Sequence, residues 1–203
     1  RTEAPDVVLC FTVKPNIYMS LAARLFGIAC VNNITGVGIN FKSASVTSFI
    51  LRTLYRFSLK KSKKVFFQNS QDKEYFLANN LLPASKADRL PGSGINLDDF
   101  SLIDRSNLKK TSFLMVCRLL YDKGLKEYFA AAALVNKSRL NIDFSLIGPL
   151  VSSSPNAISN NELDRLCKES GVNYLGQTDD IISHLKQTSC VVLPSYYGEG
   201  VPR

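Results

Sequence analysis

Two cations near residue 120 are placed to bind a diphosphate. Arg118 follows the apolar run 113–117, and Lys123 follows five residues later, where a helical pattern begins. A guanidinium fork, an ammonium point charge and the free N–H groups of a helix N-terminus all favour anions. In the alternative, Arg118 pairs with Asp122 in an ordinary surface salt bridge. Lys123 would then pair with Glu127, and the spacing alone does not decide between the two.

A second candidate site lies in the loop that follows the last apolar run. Residues 194–203 read Pro-Ser-Tyr-Tyr-Gly-Glu-Gly-Val-Pro-Arg, so glycines flank Glu199 and a proline stands where the first turn of a helix would begin. Such a loop presents backbone N–H groups and one carboxylate, which can accept hydrogen bonds from sugar hydroxyls. A strand-to-helix turn in which Glu199 caps the helix is the simpler interpretation of this loop alone.

Other chemistries lack their motifs. The Gly-x-Gly sequences at 36–38 and 92–94 are not followed by the third glycine of a dinucleotide fingerprint, and no P-loop is present. The single histidine, His184, excludes a histidine-based metal cluster. We therefore expect neither a nicotinamide cofactor, nor ATP hydrolysis, nor a histidine-based metal centre.

Short β-branched runs alternate with stretches of helical period along the chain. The predicted strands are Val7–Phe11, Ala29–Asn33, Lys64–Gln68, Ser112–Cys117, Ile142–Ile147, Val172–Leu175 and Ser189–Leu193. The predicted helices are Asn16–Phe26, Ala44–Lys60, Lys123–Lys137, Asn160–Ser170 and Asp179–Gln187. Parallel strands covered by crossover helices form an α/β sheet. Two such runs on either side of a glycine-rich joint at 91–94 predict two Rossmann-like, doubly wound domains, at 1–92 and 93–203.

Composition indicates a globular chain in the cytoplasm. Of the 203 residues, 45% are hydrophobic and 21% are charged, which excludes disorder and a collagen-like structure. The five cysteines are scattered and never form Cys-x-x-Cys, so we expect free thiols in a reducing compartment. No apolar run approaches the roughly 20 residues that span a bilayer.

The net charge of +8 lies in the first part of the chain. Residues 1–92 carry 13 basic and 5 acidic side chains, whereas residues 93–203 carry 12 of each. This asymmetry favours an anionic partner for the first part, such as a bilayer surface, nucleic acid or a phosphorylated substrate. A solvated basic face without a partner is the alternative.

Five segments taken together resemble the retaining glycosyltransferases of family 4. They are Phe-Thr-Val-Lys-Pro-Asn at 11–16, Asn-Ile-Thr-Gly-Val-Gly at 33–38, Pro-Gly-Ser-Gly-Ile-Asn at 91–96, Arg-Leu-Leu-Tyr-Asp-Lys-Gly at 118–124 and Leu-Pro-Ser-Tyr-Tyr-Gly-Glu-Gly-Val-Pro-Arg at 193–203. Within that family the chain looks most like bacterial enzymes that extend lipid-linked sugars for capsule, lipopolysaccharide or protein glycans. The resemblance covers nearly the whole chain.

The resemblance implies the GT-B architecture, in which two Rossmann-like domains face each other across a cleft. The domain at 1–92 would serve the acceptor, and the domain at 93–203 would bind a nucleotide-sugar. The family's second glutamate would fall past Arg203, and the first strand of the N-terminal domain would precede Arg1. Both domains are therefore expected to be truncated, and the chain is expected to be inactive by itself.

The resemblance also assigns the donor site. Arg118 and Lys123 would hold the donor diphosphate, and the fold needs no metal. Glu199, with the backbone of Gly200 and Val201, would hold the donor sugar. Glu199, Arg118 and Lys123 are thus the expected catalytic residues, because charge that grows on the leaving diphosphate must be stabilised.

On the acceptor side, the resemblance assigns Gly36 and Gly38 to a loop that lines the cleft. Many relatives carry a histidine on the segment that matches 10–16, where this chain offers Thr12 and Lys14 as substrate-binding candidates. A retaining mechanism in which the donor phosphate takes the acceptor proton does not need that histidine.

Four basic residues predict contact with a membrane surface. Arg52, Arg56, Lys60 and Lys64 recur every four residues on the helix predicted at 44–60 and its exit, so we expect them to form one stripe. Apolar neighbours are available for insertion, and such a helix suits a cytoplasmic leaflet that carries a polyprenyl-diphosphate acceptor. A solvated outer face is the alternative.

The favoured function is sugar transfer from a nucleotide-sugar to a lipid-linked or polysaccharide acceptor, with peripheral attachment to the cytoplasmic face of the membrane. No RNA- or DNA-binding motif is present, so nucleic acid is not an expected partner. The second hypothesis is a non-enzymatic basic α/β module that binds an anionic membrane surface or nucleic acid. A GT-B epimerase is a third, but the carboxylates for its proton transfer cannot be placed.

Overall fold

The computed structural model describes residues 3–92, 94–100, 110–138, 140–151 and 154–195, apart from the side chains at 39 and 40. These residues form two compact units, the first extending to Ile95 and the second beginning at Asn96. Each unit contains a four-stranded parallel sheet with helices in the crossovers. The predicted class, an α/β protein of Rossmann-like parallel sheets, is confirmed.

The first unit is a sheet in which the strand order follows the chain order. The strands are β1 (Val7–Phe11), β2 (Ala29–Ile34), β3 (Lys64–Phe67) and β4 (Ala87–Arg89). The helices are α1 (Val13–Leu25), α2 (Gly38–Lys42), α3 (Val46–Leu59) and α4 (Ser70–Ala78). The order β1-β2-β3-β4 never reverses. Because right-handed crossovers that advance in one direction stay on one side of a sheet, all four helices cover the same face.

The core of the first unit is consequently one-sided. The buried strand residues Ile34 and Phe67 are paired in register, and with Val65 they lie on the helical face. On that face the ring of Phe76 lies 5.2 Å from Phe41 and 5.1 Å from Phe67, measured between centroids. The opposite face carries the alternate strand residues and contributes nothing to this core.

The second unit reverses its strand order once. Its strands are β5 (Thr111–Val116), β6 (Ile142–Ile147), β7 (Val172–Tyr174) and β8 (Cys190–Val191). Its helices are α5 (Leu125–Lys137), α6 (Asn160–Ser170) and α7 (Ile181–Lys186). The spatial order is β7-β6-β5-β8, so the chain first moves away from β5 and then returns to its other side. This reversal is the mark of a doubly wound sheet.

The predicted strands and helices are all present, with ends that shift by up to three residues. Three further elements, α2, α4 and β4, have no counterpart in the sequence-based prediction. Helix α4 is largely polar. Its N-cap residue Asn69 accepts a hydrogen bond from the Asp72 N–H at 2.7 Å, and Lys42, distant in the sequence, pairs with the buried Asp72 carboxylate at 2.9 Å. Strand β4 has only three residues and depends on its pairing with β3.

The five cysteines are free, as predicted. Cys10 and Cys30 are buried side by side, with their sulfur atoms 3.5 Å apart, and burial raises the pKa of the Cys10 thiol to about 12. Within the described ranges, no helix combines the length and the hydropathy that crossing a membrane requires.

Candidate functional site

The reversal of strand order in the second unit lies between β5 and β8. In an open α/β sheet, the loops that leave the carboxyl ends of the two strands at such a reversal diverge and leave a crevice for ligands. The loop after β5 begins at Cys117 and Arg118, and the loop after β8 begins at Val192. Both loops therefore leave the same edge of the sheet from adjacent strands.

Strand β8 is short, and hydrogen bonds fix its position beside β5. The Ser112 N–H donates to the Ser189 hydroxyl at 3.0 Å, and the Ser189 N–H lies 3.1 Å from the Ser112 hydroxyl oxygen. The Val192 N–H donates to the Leu114 carbonyl at 2.8 Å. These contacts set where the loop after β8 begins.

The loop after β5 is held rigidly although Arg118 itself is exposed. Leu119 and Leu120 are buried, and the Leu119 N–H donates to the Pro149 carbonyl at 3.1 Å. A short 3-10 turn, Tyr121–Lys123, then leads into α5. The loop therefore presents Arg118 outward and places Lys123 in a half-buried position at the start of α5.

Gly124 brings the two loops into contact. It has a φ of 82°, which disfavours other residues, and it has no side chain to cap the first N–H groups of α5. A Cβ at this position would lie 2.4 Å from the Pro194 carbonyl oxygen. Pro194 thus packs directly on the N-terminus of α5, and this contact requires glycine for both space and conformation.

The charged groups around this N-terminus influence one another. Burial raises the pKa of the Cys117 thiol to about 11, while Lys123 and Arg118 act to lower it. Burial lowers the pKa of the Lys123 ammonium, Asp122 opposes that shift, and Arg118 adds to it. Because Arg118 disfavours the charged form of Lys123, the two cations lie close together, which suits an anion with more than one negative charge.

Among the described residues, no salt bridge joins Arg118 to Asp122 or Lys123 to Glu127. The Oδ1 atom of Asp122 is buried and accepts no hydrogen bond from the part of the chain that the structure describes. The burial of this oxygen cannot be predicted from the sequence, because it depends on the tertiary position of the 3-10 turn.

The predicted sugar-binding residues Glu199, Gly200 and Val201 lie outside the described residues. The loop that leads to them is described as far as Ser195. Gly148 supports the site although the sequence analysis did not single it out: its φ is 153°, and a Cβ there would lie 1.6 Å from the Cys117 carbonyl oxygen. Its position directly after the predicted strand Ile142–Ile147 is the sequence feature that could have identified it.

In the first unit, the predicted substrate-binding residues gather at the carboxyl ends of β1 and β2. Thr12 directly follows β1 with an unusual φ of 66°, and Lys14 is exposed in the first turn of α1. Gly36 and Gly38 follow β2 with φ values of 146° and 64°. Because β1 and β2 are parallel neighbours, these two loops leave the same sheet edge.

Asn33 is a further candidate beside these loops. It lies opposite Phe11 in the sheet and is buried, and none of the described residues donates a hydrogen bond to its Oδ1 atom. An unpaired amide oxygen in such a place can accept a hydrogen bond from a ligand hydroxyl or amide. The sequence motif at 33–38 contains this residue, but nothing in the sequence separates it from its buried, fully bonded neighbour Asn32.

The predicted basic stripe is not a single stripe, because α3 ends at Leu59 and the chain turns. Lys64 lies on β3 and pairs with Asp88 at 3.3 Å. Arg52 donates to the Tyr75 hydroxyl at 3.0 Å, and the Arg56 guanidinium donates to the carbonyls of residues 79 and 80, at the C-terminal end of α4. Lys60 is exposed directly after α3.

A doubly wound unit with two cations and a helix N-terminus at its strand reversal is an arrangement suited to phosphorylated ligands. The chain belongs to the glycosyltransferase family described as "Glycosyl transferases group 1", whose model matches residues 100–203. A second model, "Glycosyl transferase 4-like", matches residues 1–69. The resemblance noted in the sequence is thereby confirmed.

Two curated relatives are bacterial glycosyltransferases. The N,N'-diacetylbacillosaminyl-diphospho-undecaprenol alpha-1,3-N-acetylgalactosaminyltransferase of Campylobacter jejuni is 32% identical over 171 residues, which cover 78% of this chain and 43% of the relative. The UDP-Gal:alpha-D-GlcNAc-diphosphoundecaprenol alpha-1,3-galactosyltransferase of Escherichia coli is 25% identical, covering all of this chain and 54% of the relative. The chain thus spans about half the length of the curated relatives it matches.

Solved structures share the fold. Sucrose-phosphate synthase from Thermosynechococcus elongatus matches with a TM-score of 0.76 and 17% identity over 97% of this chain and 52% of that protein. The Anabaena protein HepE in complex with UDP matches with a TM-score of 0.77 and 15% identity over 98% of this chain and 55% of HepE.

The contact between Gly124 and Pro194 gives a direct test of the local geometry. The control is Gly176→Ala, which should lower the free energy of unfolding by about 1–2 kcal/mol, because Gly176 has a φ of 77° and a Cβ there meets nothing within 4 Å. Gly124→Ala should lower the free energy of unfolding by about 1–3 kcal/mol more than the control does, because its Cβ also overlaps Pro194. Urea unfolding of both variants measures the difference, and equal losses would show that the two loops are not in contact.

Proposed function

We propose that the chain is part of a retaining glycosyltransferase that moves a sugar from a nucleotide-sugar to a polyprenyl-diphosphate-linked acceptor in bacterial surface-glycan synthesis. The observation that carries this proposal is the placement of Arg118 and Lys123 at the N-terminus of α5, at the strand reversal of the second unit. The names of both curated relatives support the acceptor class, and the name of the Escherichia coli relative supports a UDP-sugar donor.

The cations act on the leaving group. During transfer, the bond from the anomeric carbon to the β-phosphate oxygen breaks, and a bond from that carbon to the acceptor oxygen forms. The acceptor proton passes to the departing phosphate oxygen. Arg118, Lys123 and the first N–H groups of α5 stabilise the negative charge that grows there, and no metal is needed for this step.

Other residues bind the two substrates. We assign the donor sugar to Glu199 and to the backbone of Gly200 and Val201. We assign the acceptor to the first unit, where Thr12 and Lys14 lie at the end of β1. The unpaired Oδ1 atom of Asn33, the loop that contains Gly36 and Gly38, and the unusual conformation of Thr12 support this assignment.

To reach a membrane-bound acceptor, the enzyme must contact the cytoplasmic leaflet, and we propose that α3 makes this contact. Val46, Phe49, Ile50 and Phe57 share the outer face of α3 and are 51–76% exposed. An open groove of about 440 Å³ runs along Phe49 and Phe57 beside α4. Exposed lysines at 60, 61 and 63 follow directly, so the helix combines apolar side chains with positive charge.

The non-enzymatic hypothesis rests on this same surface. A basic module that only binds an anionic membrane would use α3 and would have no need for the site in the second unit. Nucleotide binding by the second unit therefore distinguishes the two hypotheses.

Removing either cation should weaken nucleotide binding. We expect Arg118→Ala and Lys123→Ala each to reduce the affinity of the 203-residue chain for UDP by about 10–100-fold, the contribution of a charged hydrogen bond. In the complete enzyme the transfer rate should fall about 10²–10³-fold. Titration calorimetry is the measurement, with Arg165→Ala as control, because Arg165 pairs with Glu169 on the same unit. Unchanged affinity in both variants would refute the proposed site.

The pH dependence should identify Lys123. Burial lowers the pKa of Lys123, so its charge is lost at a lower pH than that of an ordinary lysine. Affinity for UDP should therefore fall on the alkaline side as the pH rises through this lowered value. Lys123→Arg should abolish that decline, because arginine stays charged. A decline that persists in Lys123→Arg would assign it to another group.

Nucleotide binding should not depend on a metal. The positive charge at the site comes from side chains and helix N–H groups, so EDTA should change the affinity for UDP by less than about twofold, which is below the contribution of one charged hydrogen bond. Loss of binding in EDTA that Mg²⁺ restores would contradict this expectation.

The outer face of α3 should determine vesicle binding. We expect Phe49→Ser and Phe57→Ser each to weaken binding to phosphatidylglycerol vesicles by about tenfold, because each removes a large apolar side chain from the bilayer boundary. Leu134→Ser is the matched control: Leu134 is 66% exposed on α5, and Phe49 is 65% exposed. Equal effects of all three substitutions in vesicle sedimentation would refute the proposed contact.

A further inference from the structure

A buried pair of amide side chains joins the first turn of α1 to β2. Asn16 and Asn32 are both fully buried, and the Nδ2 group of Asn32 donates to the Asn16 Oδ1 at 3.0 Å. The Nδ2 group of Asn16 in turn donates to the backbone carbonyl of Asn33 at 2.9 Å, near the carboxyl end of β2. Both hydrogen bonds run between the helix and the sheet, so they fix the start of α1 relative to the loop that follows β2.

Further hydrogen bonds hold Asn32 in place. Its Nδ2 group also donates to the hydroxyl of Ser20, one turn farther along α1, at 2.8 Å. Its Oδ1 atom accepts from the hydroxyl of Ser62, which follows α3, at 2.7 Å. Ser20 and Ser62 are buried as well. Such a network makes the structure around it rigid, because any displacement would leave a buried polar group without its partner.

The network lies beside a residue with an unfavourable backbone conformation. Thr12 stands between β1 and α1 with a φ of 66°, which is uncommon for a β-branched residue. Such a conformation persists only where the surrounding structure holds the chain in place. Before Thr12, Phe11 is paired with Asn33 in the sheet. After it, the Asn16 N–H donates to the Thr12 carbonyl at 3.1 Å, and the Asn16 side chain is bonded to β2.

Attachment of α1 to the sheet does not by itself require amides. Ile17 and Ala23 of the same helix are buried in apolar clusters. Replacing both partners of a buried hydrogen bond by apolar side chains of the same shape can be nearly neutral for stability. The amide pair differs from an apolar pair in its directionality, because hydrogen bonds require a particular orientation whereas apolar contacts do not.

We infer that Asn16, acting with Asn32, is a positioning residue for the acceptor site. The amide pair holds the first turn of α1 so that Thr12 keeps its positive φ and Lys14 stays at the carboxyl edge of the sheet. This inference rests on the proposed function, in which Thr12 and Lys14 bind the acceptor. Asn16 is fully buried, so it acts through these two exposed residues.

The variant Asn16→Leu tests the positioning role. Leucine has the branched shape of asparagine but makes no hydrogen bond, so Asn32 loses a partner and the Tm should fall by about 5 °C or more. In the complete enzyme, the KM for a polyprenyl-diphosphate acceptor should rise about tenfold or more, because the acceptor contacts are displaced. The KM for the UDP-sugar should change by less than about twofold, because the donor is assigned to the second unit. The acceptor used is GlcNAc-diphosphoundecaprenol, which the name of the Escherichia coli relative contains.

Two further variants separate positioning from stability. Combining Asn16→Leu with Asn32→Leu removes the unpaired amide, so the Tm should recover relative to the single variant. The acceptor KM should stay raised, because an apolar pair supplies no direction. Leu82→Ala is the control: Leu82 is buried in the core of the same unit, before the amino end of β4 and thus far from the carboxyl edge. It should lower the Tm at least as much as Asn16→Leu does and leave the acceptor KM unchanged.

Chemical shifts of the 203-residue chain report on Thr12 without any substrate. Carbon-13 shifts of the backbone should show that Thr12 leaves its positive φ in Asn16→Leu and in the double variant, and that it keeps this φ in Leu82→Ala. Unchanged Thr12 shifts in Asn16→Leu would overturn the inference. So would an acceptor KM that recovers together with the Tm in the double variant. A complete enzyme that transfers from no UDP-sugar would overturn the proposed function instead, and the shifts would still decide whether Asn16 holds Thr12.

Discussion

The contact between Gly124 and Pro194 is the constraint on which the candidate site depends. It joins the loop after β5 to the loop after β8, and it does so at the N-terminus of α5. Because a side chain at Gly124 would overlap the Pro194 carbonyl, both loops keep a fixed spacing. The serine pair that ties β8 to β5 sets the register from which this spacing follows.

The electrostatics of the site follow from that geometry. Lys123 is half-buried because the 3-10 turn packs it beside α5, and its pKa falls for that reason. Arg118 stays exposed on the same loop, so two positive charges lie near the first N–H groups of α5. Such a site binds most tightly a ligand that carries several negative charges close together, and a diphosphate is such a ligand. Membership of the glycosyltransferase family gives this chemistry its biological context.

Helical periodicity in the sequence predicted α6, and the structure shows which local residues bound it: Ser159 caps its first turn and Gly171 ends it with a φ of 75°. Helix α4 was not predicted, because it is largely polar and a tertiary ion pair between Lys42 and the buried Asp72 carboxylate stabilises it. The same division holds for the site. Residue types and spacing identified Arg118 and Lys123, whereas the buried oxygens of Asp122 and Asn33 depend on how the strands pack. The supposed stripe through Lys64 failed because helical spacing was continued past Leu59, where α3 ends.

The role proposed for Arg118 and Lys123 is to bind the two phosphates of a nucleotide donor. Titration calorimetry of the unmodified chain with UDP, UMP and uridine at low salt tests this role most directly. We expect UDP to bind at least about tenfold more tightly than UMP, because the second phosphate gains a charged hydrogen bond. Equal affinities for UDP and UMP would contradict this role, since the cations would then contribute nothing to binding of the second phosphate.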